Sequence, residues 1–157
     1  PYTPATNLLR GLQEALTMLD EEGLPNVFAR HERHGAATRA AVQTWGETGA
    51  VELQCLAPTD YSSSLTAIRL AEGHSADALR ALILRRFNMN LGNGLGILKD
   101  RVFRIGHLGD INDLTLLGAI SGVEMGLKLA GVPIGNGGVD AAMAVLTAEG
   151  EGSRASR

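Results

Sequence analysis

Apolar residues recur at helical spacing in the first third of the chain. A stripe of leucines predicts a helix over residues 6–22, which Gly23 and Pro25 bring to an end. A second helix is predicted over residues 26–46, because apolar and small residues again share one face. The residues of that face are Val27, His31, Gly35, Thr38, Val42 and Trp45.

Beyond residue 50 the apolar period shortens to two residues, which is typical of β-strands. Residues 51–56, for example, alternate between apolar and polar side chains, as a strand with one buried face requires. The predicted strands are residues 51–56, 65–70, 89–91 and 102–108.

Three more helices are predicted among and after the strands. One covers residues 76–87 behind the N-cap Ser75, one runs from Asn112 to about residue 130, and one covers about residues 138–148. Strands that follow one another across short turns pair antiparallel. The sequence therefore predicts an α+β fold, with a three- to four-stranded, mainly antiparallel sheet and helices packed on one face.

Composition and charge exclude several classes of protein. With 157 residues, 45% of them hydrophobic, the chain has the length of one domain and too much apolar content for a disordered tail. Its single cysteine, Cys55, excludes a disulfide scaffold and a cysteine-ligated zinc site. The net charge of −3 is spread evenly, and no apolar run approaches the ~20 residues of a membrane span, so we expect neither nucleic acid nor membrane as a partner. With no targeting segment visible, the expected location is the cytoplasm.

Arg104 is the charged residue that most suggests a binding site. Side chains alternate along a strand, so Phe103 and Ile105 face the core, and Arg104 faces the other side with Val102 and Gly106. A planar guanidinium in that position can bind a carboxylate through two parallel hydrogen bonds. The alternative is an arginine on a hydrated sheet face, and the pattern by itself favours that alternative.

The other candidate motifs carry weaker signals. The glycine loop at residues 92–96 is not followed by a helix, so it does not fit a dinucleotide-binding turn. It is either a mobile connection or a loop whose backbone approaches a ligand closely. His31 and His34 have the wrong spacing for a helical zinc site, and each histidine of the chain is expected to be solvated or at the edge of the core. No metal site is predicted.

Several separate segments occur in the order found in one enzyme family. They are residues 1–9, 26–31, 91–96, 102–110 (VFRIGHLGD) and 123–131. In these segments the chain resembles serine–glyoxylate and alanine–glyoxylate aminotransferases, which are class V, fold-type I enzymes that use pyridoxal 5'-phosphate (PLP). The resemblance implies the small C-terminal domain of such an enzyme, with residues 1–24 as an interdomain segment and helix, residues 25–148 as the domain, and residues 149–157 as a frayed tail.

The family's activity implies roles for particular residues. Its members move an amino group from serine or alanine to glyoxylate or pyruvate through PLP. The resemblance assigns Arg104 and Gly94 to substrate binding, and it assigns Thr3 to the PLP phosphate of the neighbouring subunit. It also implies a large PLP-binding domain and a homodimer partner. The family's Schiff-base lysine lies upstream, and neither Lys99 nor Lys128 has a matching context, so no catalytic residue is assigned and the chain alone is expected to be inactive.

Two alternatives remain open at this stage. The chain could be a non-catalytic docking domain of the same fold, or a small domain in which Arg104 binds a carboxylate without a cofactor. An isolated domain of this kind should also self-associate, because Leu8, Leu9 and the face around Val102 would lack their usual cover.

Overall fold

The computed structural model describes residue 2 and residues 4–148. Five α-helices and one four-stranded sheet form in this part of the chain. The helices are α1 (Thr6–Glu22), α2 (Leu24–Trp45), α3 (Ala76–Phe87), α4 (Asp113–Leu129) and α5 (Gly138–Thr147). The strands are β1 (Val51–Leu53), β2 (Leu65–Leu70), β3 (Gly92–Asn93) and β4 (Val102–Gly106).

The sheet has the strand order β1-β2-β4-β3, and every neighbouring pair is antiparallel. Alternate residues of β2 are buried, and the residues between them stay partly exposed. One apolar cluster joins Ile68 and Phe103 on the buried side to side chains of α2, α3, α4 and α5. The predicted α+β fold with helices packed on one face is therefore confirmed.

The other side of the sheet is called here the open face. Its members follow from strand alternation and from the pairing of β2, β3 and β4. They are Leu65, Ala67, Arg69, Gly92, Val102, Arg104 and Gly106, together with Glu52 of β1, which pairs with Arg69.

A buried hydrogen-bond junction ties three helices together on the helical side. Trp45 at the end of α2 is fully buried, and its Nε1 donates to Glu124 Oε2 of α4 at 2.9 Å. The same oxygen accepts from the backbone N–H of Val139 in α5 at 3.1 Å, and Lys128 Nζ donates to the other carboxylate oxygen at 2.7 Å. One carboxylate therefore links the helical layer behind the sheet.

The helix boundaries agree with the sequence-based prediction to within about two residues. Ser75 caps α3 by accepting from the N–H of Ala78, and Asn112 caps α4 by accepting from the N–H of Thr115. Helix α2 begins earlier than predicted, because Pro25 lies in its first turn, where no N–H is needed.

The strand boundaries required more correction. The first strand ends at Leu53 and not at residue 56, and the last ends at Gly106 and not at residue 108. The strand predicted at residues 89–91 is wrong, since β3 is Gly92–Asn93. Leu91 is instead buried in the core, and the following glycine pairs with β4.

Helix α1 carries an uncovered apolar stripe. None of its residues is buried, and Leu8 and Leu9 are 75% and 56% exposed. Their exposure agrees with the expectation from the sequence, and self-association through them stays a prediction. The expected exposure around Val102 is wrong, because Val102 is only 1% exposed. The chain between β3 and β4 turns back beside it, and Gly94 N donates to Val102 O at 2.8 Å.

The junction between α1 and α2 is fixed by one arginine. Gly23 separates the helices with φ of +80°, a conformation that favours glycine. Arg30 of α2 binds both carboxylate oxygens of Glu22 at 2.6 and 2.7 Å. Its Nη1 also donates to the carbonyls of Gly109 and Ile111 in the turn after β4. The division at residue 24 stays a prediction, and the predicted frayed tail at 149–157 lies outside the described residues.

No helix in the described ranges has both the length and the apolar character that crossing a membrane requires.

Candidate functional site

Arg104 lies at the centre of the open face. It is paired with Ala67 of β2 on one side and with Gly92 of β3 on the other. Both neighbours are small, so no long side chain stands beside the guanidinium on either adjacent strand. The side chain is half-buried, and no described residue forms an ion pair or a hydrogen bond with it. The strand pattern correctly indicated the face on which Arg104 lies, and the structure adds that its positive charge has no partner among the described residues.

The buried nitrogen of this guanidinium decides how a ligand can reach it. Arg104 Nε is shielded from solvent and has no hydrogen-bond partner among residues 4–148. A carboxylate arriving from the open face therefore meets the two Nη groups. Two N–H donors of one planar group can hold both oxygens of a carboxylate in parallel.

Gly94 lies in the turn that leaves β3. Its N–H is already bonded to Val102 O, and a Cβ at this position would lie 2.0 Å from Leu98 O. The structure therefore shows a close backbone approach that excludes any larger residue. Substrate binding by Gly94 stays a prediction, and its amide N–H is not available for it.

A group of polar side chains whose contacts the sequence did not indicate holds the turn after β4. His31 Nε2 accepts from the N–H of Gly109 at 3.0 Å, so its Nδ1 carries the proton and donates to Val27 O at 2.7 Å. His34 Nε2 lies 2.9 Å from Asp113 Oδ1, which also accepts from Arg33. These contacts fix to α2 the segment that follows the strand of Arg104.

His107 belongs to the same region and is fully buried. Its Nδ1 donates to Ser63 O at 3.2 Å, and its Nε2 accepts from the hydroxyl of Thr66 at 3.0 Å. The expectation of solvated or core-edge histidines is wrong for His34 and His107, since neither is exposed. Polar partners distant in sequence contact both ring nitrogens of His107 and the Nε2 of His34, whereas His34 Nδ1 is buried without a partner among the described residues. No group of three or more metal-ligating side chains forms within the described part of the chain.

Acid should destabilise this protein through His107. Burial lowers the pKa of the His107 side chain to about 4, below the value of about 6.5 expected in the unfolded chain. Between those values the unfolded state binds a proton that the folded state does not, so stability is full above about pH 6.5 and falls as the pH is lowered towards 4. We expect His107→Gln to reduce this decline by at most about 3 kcal/mol.

Urea unfolding of the full chain across that pH range measures the effect. The matched control is His74→Gln, which makes the same change at a partly exposed histidine. A residual decline is expected in His107→Gln, since burial also lowers the pKa of His34. Identical pH dependence in the His107→Gln and unsubstituted chains would contradict the prediction.

Comparison with known proteins identifies the family. The chain is 47% identical over 147 residues to the serine–glyoxylate aminotransferase of Methylorubrum extorquens, covering 93% of this chain and 36% of that protein. It is 43% identical over 134 residues to the L-aspartate–glyoxylate aminotransferase of Paracoccus denitrificans, covering 85% of this chain and 33% of that protein. The crystal structure of pyridoxamine–pyruvate aminotransferase from Mesorhizobium loti matches with a TM-score of 0.84, at 29% identity over 93% of this chain and 37% of that one.

The chain matches class V aminotransferases. It corresponds to the C-terminal part of these enzymes and spans about a third of the length of the relatives that it matches. The resemblance seen in the sequence is thereby confirmed. No protein-family model matches the chain.

The family implies PLP in the whole enzyme, so the side chains of this aminotransferase segment can be tested against that cofactor. Binding of the PLP aldehyde requires a lysine beside the site. The sequence has two lysines, Lys99 and Lys128. Lys128 is paired with Glu124 on the helical side, and Lys99 ends the short turn before β4 without belonging to the open face. The described residues therefore do not form the cofactor site.

Thr3, which the resemblance assigns to the PLP phosphate, lies outside the described residues. Of the three predicted site residues, the structure thus brings Arg104 and Gly94 to the β3–β4 hairpin.

Proposed function

We propose that this chain provides the substrate-carboxylate arginine, Arg104, to a PLP-dependent aminotransferase. The enzyme transfers an amino group from serine or alanine to glyoxylate or pyruvate. The observation that carries the proposal is the half-buried guanidinium of Arg104, which has no partner among the described residues and lies on a sheet face left open by the helices. Its strand belongs to a segment closely similar to glyoxylate aminotransferases.

The shared chemistry of the substrates explains why one arginine serves both half-reactions. Serine, alanine, glyoxylate and pyruvate each carry a carboxylate next to the reacting carbon. Anchoring that carboxylate at the two Nη groups of Arg104 places the reacting carbon at the same distance from the anchor in both cases. The amino-transfer chemistry itself is supplied by PLP and by residues beyond those described.

Serine is the donor that we favour, since the relative with 47% identity is named for serine and glyoxylate. The relative named for L-aspartate shares the acceptor, which supports glyoxylate more strongly than any one donor. The proposal further includes a large PLP-binding domain, a homodimer partner whose PLP phosphate Thr3 contacts, and a cytoplasmic location.

The activity test compares the 157-residue chain with a complete enzyme that carries this sequence as its C-terminal part. We expect the complete enzyme to form glycine from glyoxylate with serine or alanine as donor. We expect the chain alone to form no glycine and to give no imine absorbance with PLP. Failure of the complete enzyme to use either donor would overturn the proposed reaction. An imine band that disappears on Lys99→Arg or Lys128→Arg would overturn the predicted inactivity of the chain.

The same unpartnered guanidinium is compatible with a carboxylate-binding domain that works without a cofactor. Calorimetry of the isolated chain with glyoxylate, serine and pyruvate distinguishes this function from the proposed one. We expect no measurable binding, because one arginine on an open face lacks the walls that the rest of an enzyme would add. Millimolar or tighter binding that Arg104→Gln abolishes would favour the cofactor-free domain.

A further inference from the structure

The two neighbours of Arg104 across the sheet differ in how closely they approach it. On the β3 side, a Cβ placed on Gly92 would lie 3.1 Å from Arg104 Cβ and 3.0 Å from Arg104 Nε. Directly opposed residues of antiparallel strands ordinarily keep their Cβ atoms about 4.5–5.5 Å apart. A Cβ at position 92 would therefore be in unusually tight contact with Arg104, which would have to shift by a few tenths of an ångström to make room for it.

Conformational freedom does not explain a glycine at this position. The φ angle of Gly92 is not in the positive range, so other residues could adopt its backbone conformation. The contact with Arg104 is what a larger residue would disturb. Because Gly92 has no Cβ, the Arg104 stem and Nε can lie close to the β3 backbone. The same Nε is shielded from solvent.

We propose that Gly92 is a positioning residue for the substrate carboxylate. It fixes how closely the Arg104 guanidinium lies to the sheet on the open face. It also keeps Nε covered, so that the two Nη groups are the donors that a carboxylate can reach. This inference rests on the proposed function of Arg104. It adds that the neighbouring strand decides which edge of the guanidinium receives the carboxylate.

The kinetic test uses Gly92→Ala in the complete enzyme. The added methyl group must displace Arg104 by a few tenths of an ångström, since its Cβ and Nε both lie too close. We expect KM for serine and for glyoxylate to rise about tenfold, with kcat changed much less, because a shifted anchor weakens binding in both half-reactions.

The matched control is Gly106→Ala. Gly106 lies on the same face of the same strand as Arg104, its φ is not positive, and a Cβ there would meet nothing within 4 Å. We expect KM values close to those of the unsubstituted enzyme. Equal KM values for Gly92→Ala and Gly106→Ala would overturn the role of Gly92.

A double substitution separates this inference from the proposed function. In an Arg104→Lys background, Gly92→Ala should add little to KM, because the group that it positions is gone. A full additional tenfold rise would show that Gly92 acts independently of Arg104 and would overturn the inference. Unchanged KM in Arg104→Lys alone would instead overturn the proposed function. A raised KM in Arg104→Lys with normal KM in Gly92→Ala would leave the proposed function standing without the inference.

Solvent exchange of the Arg104 Nε proton gives a readout in the chain itself, without catalysis. The ¹⁵N-resolved signal, assigned by its loss in Arg104→Lys, should exchange slowly in the unsubstituted chain because Nε is covered. Gly92→Ala should speed this exchange, and Gly106→Ala should leave it unchanged. Equal exchange rates in all three chains would contradict the proposed packing.

Discussion

Replacing Arg104 with lysine in the complete enzyme is expected to raise KM for the amino acid and for the oxo acid by about 10–100-fold. An ammonium group is a point donor and cannot form two parallel hydrogen bonds to one carboxylate. A charge-assisted hydrogen bond contributes about 1.5–3 kcal/mol, and each 1.4 kcal/mol corresponds to a factor of ten in affinity. Because the anchor binds ground state and transition state alike, kcat should fall much less than KM rises.

Steady-state kinetics with both substrates varied measures this effect. Arg101→Lys is the matched control, because it makes the same change three residues earlier, at an exposed position before β4. We expect the control to keep its KM values. If KM stays normal for both substrates in Arg104→Lys, the carboxylate is held elsewhere and the site assignment is wrong.

Glu124→Ala is expected to lower the free energy of unfolding by about 3 kcal/mol. The alanine would leave the Nε1 of Trp45 and the N–H of Val139 without their acceptor in the interior. An unsatisfied buried donor costs about 1–3 kcal/mol. Burial by itself raises the pKa of Glu124, but the hydrogen bonds from Lys128, Trp45 and Val139 outweigh burial and lower it, so the native group is a carboxylate.

Trp45 is the sole tryptophan of the chain, so its fluorescence reports directly on this junction during urea unfolding. Glu124→Gln is the matched control, since its amide oxygen can take the place of Oε2 and accept from both buried donors, and it should cost clearly less. Lys128→Ala should cost least, because the Lys128 side chain is 52% exposed. A loss below about 1 kcal/mol in Glu124→Ala would mean that water replaces the carboxylate.

Local signals account for the elements that the sequence predicted well. The side-chain oxygens of Ser75 and Asn112 begin α3 and α4 by accepting from N–H groups three residues ahead, and this chemistry depends on neighbours in sequence alone. Strand β3 could not be predicted in this way. Its two residues are held by pairing with Phe103 and Arg104, ten or more positions away, and the apolar residues before it pack into the core.

In the candidate site, too, the features set by neighbours in sequence could be predicted, and those set by distant residues could not. Alternation in β4 correctly put Arg104 opposite Phe103 and Ile105, because the pleat is a local property. Two properties were beyond a linear pattern, namely the absence of a partner for Arg104 and the burial of His107. His107 is satisfied by Thr66, which is 41 positions away in sequence. The polarity of the histidine side chain suggested a solvent-exposed position, but hydrogen bonds to residues distant in sequence offset the cost of burying it.

The lengths of β1 and β3 have a consequence for how copies of this chain can assemble. These strands form the two edges of the sheet and contain three and two residues. A strand from another molecule adds to a sheet only where an edge offers a run of unpaired backbone donors and acceptors. Association should therefore proceed through the leucines of α1 and give assemblies that detergent disperses, whereas growth into cross-β fibres should be suppressed.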